Sequence, residues 1–272
     1  VPMTGGRPFA VLLFAALAAA LAFRLPQLDR RPMHCDEANQ AVKSGDLYET
    51  GVYTYDPHQY HGPSLYFLTQ PSIWFSPAKR FAETGESTYR IVPVLFGAAL
   101  VLLLWLVADG LGRPPAIVAG ILTAISPAMV FYSRYYVQEM LLVFFTFTAL
   151  ASLWRYARKP SFVWAVATGA SFGLLHATKE TWVLSAMAMG AALGLTTLWT
   201  RLCGDAEPVK RWRFAHVAAA AGAAVLTAVA LYSSFGTNPG GPLDSLRAYA
   251  VYGRRAGGEG LHDHPWHYYL SL

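Results

Sequence analysis

The sequence predicts an all-α polytopic membrane protein with about seven transmembrane helices and the start of an eighth. Hydrophobic residues make up 54% of the 272 residues and charged residues only 14%, and the mean hydropathy is +0.33. Apolar runs recur along the whole chain, separated mostly by short polar connections. Because a soluble helical protein can bury one or two such runs but not this many in succession, a membrane fold is expected.

Each predicted span is an apolar run with flanking Trp, Tyr, Arg or Lys residues. A bilayer core about 30 Å thick needs about 20 helical residues, and several runs reach that length only when these anchors are counted. The runs cover residues 9–23, 91–108, 116–131, 140–154, 162–177, 182–199 and 214–231. Residues 266–272 resemble the start of an eighth helix, so we expect a single domain over 1–272 that is shortened at its C-terminus.

Loop charge predicts the orientation. The connections 109–115, 155–161 and 200–213 hold most of the Lys and Arg residues of the short loops, whereas 132–139 and 178–181 hold only Arg134 and Lys179. An excess of positive charge marks the cytoplasmic side, which places the N-terminus inside and the segments 25–90 and 232–265 outside. The first run could instead be a cleaved signal peptide, because Ala20-Leu21-Ala22 fits a cleavage site.

Composition and charge indicate which binding partners and which membrane to expect. The pI near 9.2 reflects the cytoplasmic anchors, and the chain carries no nucleic-acid motif, so no nucleic-acid partner is expected. Compact loops and a composition rich in Ala, Gly and Arg favour the plasma membrane of a prokaryote. Cys35 and Cys203 fall on opposite sides in this topology and therefore cannot pair.

Ionisable residues gather on the predicted outer face. Four connections bring them there: Asp36-Glu37, Arg134 with Glu139, Lys179-Glu180, and the cluster His262-Asp263-His264. Charged groups at membrane depth are costly and usually line a cavity or a functional site. The sequence therefore predicts an outer site at the membrane rim.

These residues also have simpler interpretations. Asp36 could be the N-cap of a short helix with Glu37 as a first-turn dipole partner. Arg134 and Glu139 could be interface anchors or a local ion pair, and Lys179 could extend its charge to the interface.

The histidines give weaker signals. His262 and His264 have ligand-type side chains without further ligands at a diagnostic spacing. No metal site is assigned, and a divalent metal ion remains open. We expect His61 to form a hydrogen bond within its loop rather than to take part in catalysis, and His176 to form a hydrogen bond between helices.

The first outer loop has local structure of its own. Residues 32–39 predict the start of a short helix, and 53–63 are rich in turn residues and aromatics. Residues 64–75 form an apolar stretch too short to span, which suits a helix in the interface plane.

Five motifs, in this order and on one side, resemble those of the GT-C glycosyltransferases. They are His-x-Asp-Glu-Ala at 34–38, Tyr-Asp-Pro with Tyr-His-Gly-Pro at 55–63, Ser-Arg-Tyr-Tyr-x-Gln-Glu at 133–139, Thr-Lys-Glu-Thr at 178–181 and His-x-x-Pro-Trp-x-Tyr-Tyr at 262–269. The superfamily includes the protein O-mannosyltransferases and the lipid A aminoarabinose transferases. The closer resemblance is to the flippase-associated family of archaeal and bacterial GT-C proteins.

The resemblance implies transfer of a sugar from a polyprenyl-phosphate donor to a hydroxyl of a lipid, glycan or protein acceptor. It implies Asp36 as the base, Glu37 as its support and Glu139 as a second acid, because a carboxylate must take the hydroxyl proton. Arg134 and Lys179 would hold the leaving phosphate. Glu180, His61, His262 and His264 are the other expected substrate-binding residues.

Two other classes stay open: a transport component and a non-catalytic scaffold associated with a flippase. A transporter would place charges or Gly/Pro breaks at mid-membrane depth, whereas mid-run positions here are Ala, Leu, Val and Gly. A scaffold would not need the charged residues that meet at the outer face.

Overall fold

The computed structural model describes residues 6–58, 61–203 and 213–254, and these residues are helical with no strand. The helices found in these ranges are α1 (Gly6–Arg24), α2 (Cys35–Thr50), α3 (Ser64–Trp74), α4 (Glu86–Leu111), α5 (Arg113–Ile125), α6 (Pro127–Ser133), α7 (Glu139–Arg158), α8 (Phe162–His176), α9 (Trp182–Cys203), α10 (Phe214–Tyr232) and α11 (Gly241–Arg254). A 3₁₀ turn lies at Phe81–Glu83. The prediction of an all-α fold is confirmed.

Every predicted span is helical, but the spans are not uniform. Within the described ranges, five helices (α1, α4, α7, α9 and α10) are long and apolar enough to cross a membrane. The predicted run 116–131 is broken into α5 and α6, which meet at an angle of 58°. Counting this pair as one span gives six spans. The remaining predicted run, 162–177, forms α8, which has 15 residues; this is about 22 Å of helix and shorter than a bilayer core.

The break between α5 and α6 has a local cause. Pro127 opens α6, and proline pushes the residue before it out of helical geometry. Ser126 accordingly has φ −56° and ψ 123°, and its side chain accepts a hydrogen bond from the Met129 amide as the cap of the new helix. One apolar run thus becomes two helices with a sharp bend.

Side-chain contacts define two ends of the bundle. At one end Asp109 accepts hydrogen bonds from Trp154 (2.9 Å) and Arg155 (3.2 Å), and Tyr156 contacts His216 (3.1 Å). We call the opposite end the polar end. It contains the first outer loop, the 134–138 and 177–181 connections and the start of α11.

Helices α8 and α10 pack closely because glycine lies between them. A side chain at Gly169 would clash with the backbone of Ala220, and one at Gly173 with that of Ala224. This spacing of small residues is the usual device for close approach of membrane helices. The tight α8–α10 pair carries the 177–181 connection at its polar end.

Helices α2 and α3 fold over the start of α4. Residue Asp36 is not the N-cap of α2: His34 takes that position, and its side chain accepts from the Asp36 amide while the Glu37 side chain accepts from the His34 amide. The predicted helix at 64–75 is present as α3. One side of α3 is buried, while its last residue, Trp74, and the following Phe75 are 66% and 91% exposed.

Helix α11 was not predicted from the sequence. It lies in the predicted outer segment 232–265, and its Ser245 and Tyr249 hydroxyls lie 3.1 and 2.9 Å from the ring nitrogens of His176. His176 is therefore a satisfied interhelical histidine, as the sequence indicates.

Candidate active site at the polar end of the bundle

The first two candidate residues lie side by side but in opposite surroundings. Successive residues of a helix turn by about 100° around its axis. The Asp36 side chain is 59% exposed, whereas the Glu37 side chain is fully buried. One carboxylate is open to a substrate and the other is enclosed by protein.

Glu37 forms a two-point ion pair with Arg90, the single arginine of α4, which is buried. Arg90 Nε and Nη2 lie 2.7 and 2.8 Å from the two carboxylate oxygens. The amides of His34 and Tyr136 donate to the same carboxylate at 3.1 and 3.0 Å. Burial opposes ionisation of Glu37, but the hydrogen bonds from Arg90 and these amides hold its pKa below the ordinary value.

Arg90 extends this contact to the chain before α2. Its guanidinium donates to the carbonyls of Leu28 (2.6 Å), Arg31 (2.7 Å) and Pro32 (3.2 Å). The Glu37–Arg90 pair therefore joins three segments: the loop after α1, the start of α4 and the 134–138 connection. Glu37 is placed to position its neighbours, and its predicted role as a support of Asp36 stays a prediction.

Asp36 lies in a small cluster of polar side chains on the exposed side of the Glu37–Arg90 ion pair. The Tyr135 hydroxyl donates to Asp36 Oδ2 at 3.2 Å and lies 2.8 Å from His34 Nδ1. Burial together with the charge of Asp36 raises the pKa of Tyr135 to about 12. Tyr135 is thus a neutral hydroxyl that orients the Asp36 carboxylate without competing for a proton near pH 7.

Glu139 and Lys179 form the second part of the site. Their side chains pair at 2.7 Å across 40 residues of sequence. The second carboxylate oxygen, Glu139 Oε2, is buried and has no hydrogen-bond partner among the described residues. Such an oxygen is available to a substrate donor, because buried acceptors are normally satisfied.

The 134–138 connection links the two parts. Tyr135 and Tyr136 contact Asp36 and Glu37, and Gln138 Nε2 donates to Gln40 Oε1 of α2 at 2.9 Å. Glu139 follows at once as the first residue of α7. Asp36 and the Glu139–Lys179 pair are therefore held at one end of the bundle by a short segment that is hydrogen-bonded to α2.

Glu180 is enclosed by the first outer loop. His61 Nδ1 lies 2.7 Å and the Tyr55 hydroxyl 2.8 Å from its two oxygens, and the side chain is 6% exposed. Burial opposes ionisation, but the contact with His61 lowers the pKa of Glu180 below the ordinary value. This burial gives Glu180 and His61 a positioning role next to Lys179.

Gly62 explains why the 55–63 and 178–181 motifs occur together. A side chain at Gly62 would clash with the backbone of Ala177. Ser64 donates its amide to the Ala177 carbonyl at 2.8 Å, and its hydroxyl lies 2.7 Å from that of Thr178. The first loop is therefore docked on the α8–α9 connection, which fixes Lys179 and Glu180.

Arg134 does not form the local ion pair with Glu139 that the simpler interpretation of the sequence offered. It donates to the carbonyls of Phe23, Arg24 and Gln27 at 3.2–3.4 Å, while Glu139 pairs with Lys179. Arg24, fully buried, bonds the Ser133 hydroxyl and the Ala124 carbonyl at 3.0 and 2.8 Å. These arginines connect the end of α1 to α5 and α6.

Two residues of the site were missed by the sequence analysis, and two predicted ones cannot be placed. In the sequence Arg90 and Tyr135 look like interface anchors, because they flank apolar runs. The sequence gives no signal that Arg90 is buried and pairs with Glu37. The predicted residues His262 and His264 lie outside the described residues.

Comparison with solved structures shows the fold. The protein O-mannosyltransferase Pmt1–Pmt2 complex of S. cerevisiae bound to the sugar donor aligns with a TM-score of 0.56 and 17% identity over 93% of this chain and 34% of that one. The apo oligosaccharyltransferase of Archaeoglobus fulgidus aligns with a TM-score of 0.62 and 14% identity over 95% and 35%. The chain thus spans about a third of these proteins, and the predicted GT-C fold is confirmed.

Sequence comparison gives the family. A search of curated proteins finds no match. The family model for dolichyl-phosphate-mannose-protein mannosyltransferases matches residues 12–237. The finer resemblance to the flippase-associated family stays a prediction. Because the match covers most of the sequence, the chain belongs to the dolichyl-phosphate-mannose-protein mannosyltransferase family.

Proposed function

We propose that this protein is a membrane glycosyltransferase that moves a sugar from a polyprenyl-phosphate donor to an acceptor hydroxyl. The observation that carries the proposal is the exposed Asp36 carboxylate mounted on the buried Glu37–Arg90 pair. A general base must be reachable by substrate and held in a fixed orientation. Asp36 meets both conditions, since Tyr135 and the capping box of α2 orient it.

The family supports a particular donor and acceptor. Its name specifies dolichyl-phosphate mannose and protein, so we propose a polyprenyl-phosphate mannose donor and a serine or threonine hydroxyl as acceptor. The apolar tail of such a donor stays in the bilayer. A site at the end of a helical bundle, beside the membrane surface, suits this substrate. From the charge of the short loops we place it on the outer face of the plasma membrane.

The chemistry follows from the positions of the charged groups. The acceptor oxygen forms a bond to the anomeric carbon as its proton passes to Asp36, and the bond from that carbon to the phosphate oxygen breaks. Negative charge then collects on the lipid phosphate. Lys179 is the cation proposed to meet it, and the Glu139 Oε2 atom accepts a hydrogen bond from the sugar.

Asp36→Asn tests the base directly. The full chain is reconstituted in liposomes with polyprenyl-phosphate mannose and a peptide rich in serine and threonine, and mannose transfer is measured. Loss of a general base lowers kcat by about 10²–10⁴-fold. Asp46→Asn is the matched control, because Asp46 is also an exposed carboxylate of α2 (55% exposed) and forms a surface ion pair with Lys43. Equal activity of the two variants would contradict the proposal.

Lys179→Gln tests the phosphate contact. Because Lys179 faces the donor phosphate, the variant raises the KM for the donor and lowers kcat, while the KM for the peptide stays unchanged. A change in the peptide KM alone would place Lys179 on the acceptor side and contradict this assignment.

A further inference from the structure

His34, Cys35 and Asp36 bring three different metal-ligand atoms together at the N-terminus of α2. One ligand atom from each lies within 4.8 Å of the others, and all three residues are exposed. Cys35 Sγ is 3.5 Å from His34 Nδ1, 3.9 Å from His34 Nε2 and 3.8 Å from Asp36 Oδ1. His34 Nδ1 is 3.3 Å from Asp36 Oδ2.

Pairs of these atoms lie at separations close to those in a tetrahedral zinc site. Zinc binds sulfur at about 2.3 Å and nitrogen or oxygen at about 2.0–2.2 Å. Tetrahedral geometry then places neighbouring ligand atoms about 3.3–3.7 Å apart. The Cys35 and His34 distances are to different oxygens of Asp36, Oδ1 and Oδ2, so the side chains must rotate to bring a single carboxylate oxygen close to both.

The ligand types select the metal. A thiolate with an imidazole and a carboxylate suits zinc, whereas magnesium and calcium prefer oxygen ligands alone. The positive end of the helix dipole disfavours a cation at this position, but two anionic ligands, the thiolate and the carboxylate, outweigh it. Binding replaces the thiol proton, which passes to solvent.

The backbone under the cluster is already fixed. The Glu37 carboxylate accepts from the His34 amide at 3.1 Å and is itself held by Arg90. The Tyr135 hydroxyl lies 2.8 Å from the imidazole. His34 Nδ1 already accepts the cap hydrogen bond from the Asp36 amide at 3.3 Å, so Nε2, 3.9 Å from Cys35 Sγ, is the nitrogen that binds the ion. The exposed side chains let the ion exchange with solution.

We propose that His34, Cys35 and Asp36 bind one zinc ion, with water in the fourth position, and that the bound ion inhibits sugar transfer. Inhibition follows because a carboxylate that coordinates zinc cannot take the acceptor proton. This part rests on the proposed function of Asp36. The binding site itself does not, because it depends only on the three ligand atoms.

Cobalt binding tests the site without any activity measurement. The purified full chain is titrated with Co²⁺, and the near-ultraviolet absorption from thiolate to cobalt is recorded. The wild type and Cys203→Ser show the band, and zinc displaces the cobalt. Cys35→Ser abolishes the band and weakens zinc binding by at least about 100-fold, since even loss of an outer-shell partner costs about 10–100-fold. An unchanged band in Cys35→Ser, or its loss in Cys203→Ser, would overturn the site.

His34→Asn provides a second variant. Asparagine is a good N-cap, so α2 keeps its cap while the imidazole is removed. The expected result is an unfolding temperature within a few degrees of the wild type and at least about tenfold weaker zinc binding. Wild-type zinc affinity in this variant would contradict the role of the imidazole.

Transfer assays then test inhibition. Zinc at the concentration that displaces cobalt lowers transfer by the wild type and by Cys203→Ser at least about tenfold, and a chelator restores it. Cys35→Ser keeps its activity under the same zinc concentration. If zinc binds but transfer rises or stays constant, inhibition is wrong. If Asp36→Asn retains activity while cobalt still binds the wild type, the proposed function fails and the site stands.

Discussion

The two halves of the α2 N-terminus show how one short motif supplies both a support and a reactive surface. The buried half contains Glu37 and Arg90, whose ion pair is surrounded by backbone groups and by the Arg31 guanidinium. The exposed half contains Asp36 with His34, Cys35 and Tyr135. The buried carboxylate has its partners within the protein, whereas the exposed one is free to meet a substrate. The difference separates stability from chemistry within two adjacent residues.

The largest expected effect on stability is that of Arg90→Ala. It leaves the buried Glu37 carboxylate with the half-exposed Arg31 guanidinium, 3.1 Å away, as its remaining cation, and loss of one partner of a buried pair typically costs about 3–5 kcal/mol. The free energy of unfolding in detergent micelles is the measurement. The double variant Glu37→Gln/Arg90→Ala is the control and should recover part of the loss, because it no longer buries an unpaired charge. A loss below about 1 kcal/mol would show that the buried half is not an anchor.

A smaller loss is expected from Gly62→Ala, which tests whether docking of the first loop on the 177–181 connection is a second support. The added methyl group meets the Ala177 backbone, and overpacking of this kind costs about 1–3 kcal/mol. Gly190→Ala in α9 is the matched control, because a side chain at Gly190 meets no atom within 4 Å. Equal unfolding temperatures for the two variants would contradict the docked loop.

Glu180→Gln repeats the comparison at the second buried carboxylate. Loss of the charge weakens the contacts with His61 and Tyr55 by about 1–2 kcal/mol. The pKa of Glu180 is lowered in the folded state, so its stabilisation is present at neutral pH and is lost as the pH falls below about 4.5, the ordinary value. The variant should therefore be less stable at pH 7 and lose less stability on acidification. An identical acid titration of stability would contradict this.

The smallest loss of stability is expected from a change on the exposed surface near the C-terminal end of α2. Asp46→Ala removes a surface ion pair with Lys43, 3.2 Å apart and 55% exposed at Asp46. Such pairs contribute about 0.2–1 kcal/mol, and salt screens them. A loss comparable to that of Arg90→Ala would remove the contrast between buried and exposed charges on this helix.

The sequence predicted the helices well because apolar runs are a local signal. The break at Ser126-Pro127 was missed because the run 116–131 stays apolar through it, although the proline was visible. Asp36 was offered as a possible N-cap because aspartate is a common cap, whereas the structure has His34 at that position. The Glu37 side chain, three residues after His34, completes a capping box in which histidine replaces the usual serine or threonine.

The site was predicted only in part because pairing depends on the tertiary fold. Asp36, Glu139 and Lys179 were identified by their type and predicted side. The pairing of Glu139 with Lys179 across 40 residues, and of Glu37 with Arg90 across 53, has no signal in a single sequence. Local patterns therefore identified the residues, and packing decided which ones are exposed and which ones are buried in ion pairs.

The most direct test of this account measures Asp36→Asn and Glu37→Gln side by side, for unfolding free energy and for mannose transfer in the same preparation. The account predicts that Asp36→Asn unfolds like the wild type and loses at least about 100-fold in transfer. It predicts that Glu37→Gln loses several kcal/mol of stability, because Arg90 stays buried without its partner. An active Asp36→Asn variant, or a Glu37→Gln variant as stable as the wild type, would contradict it.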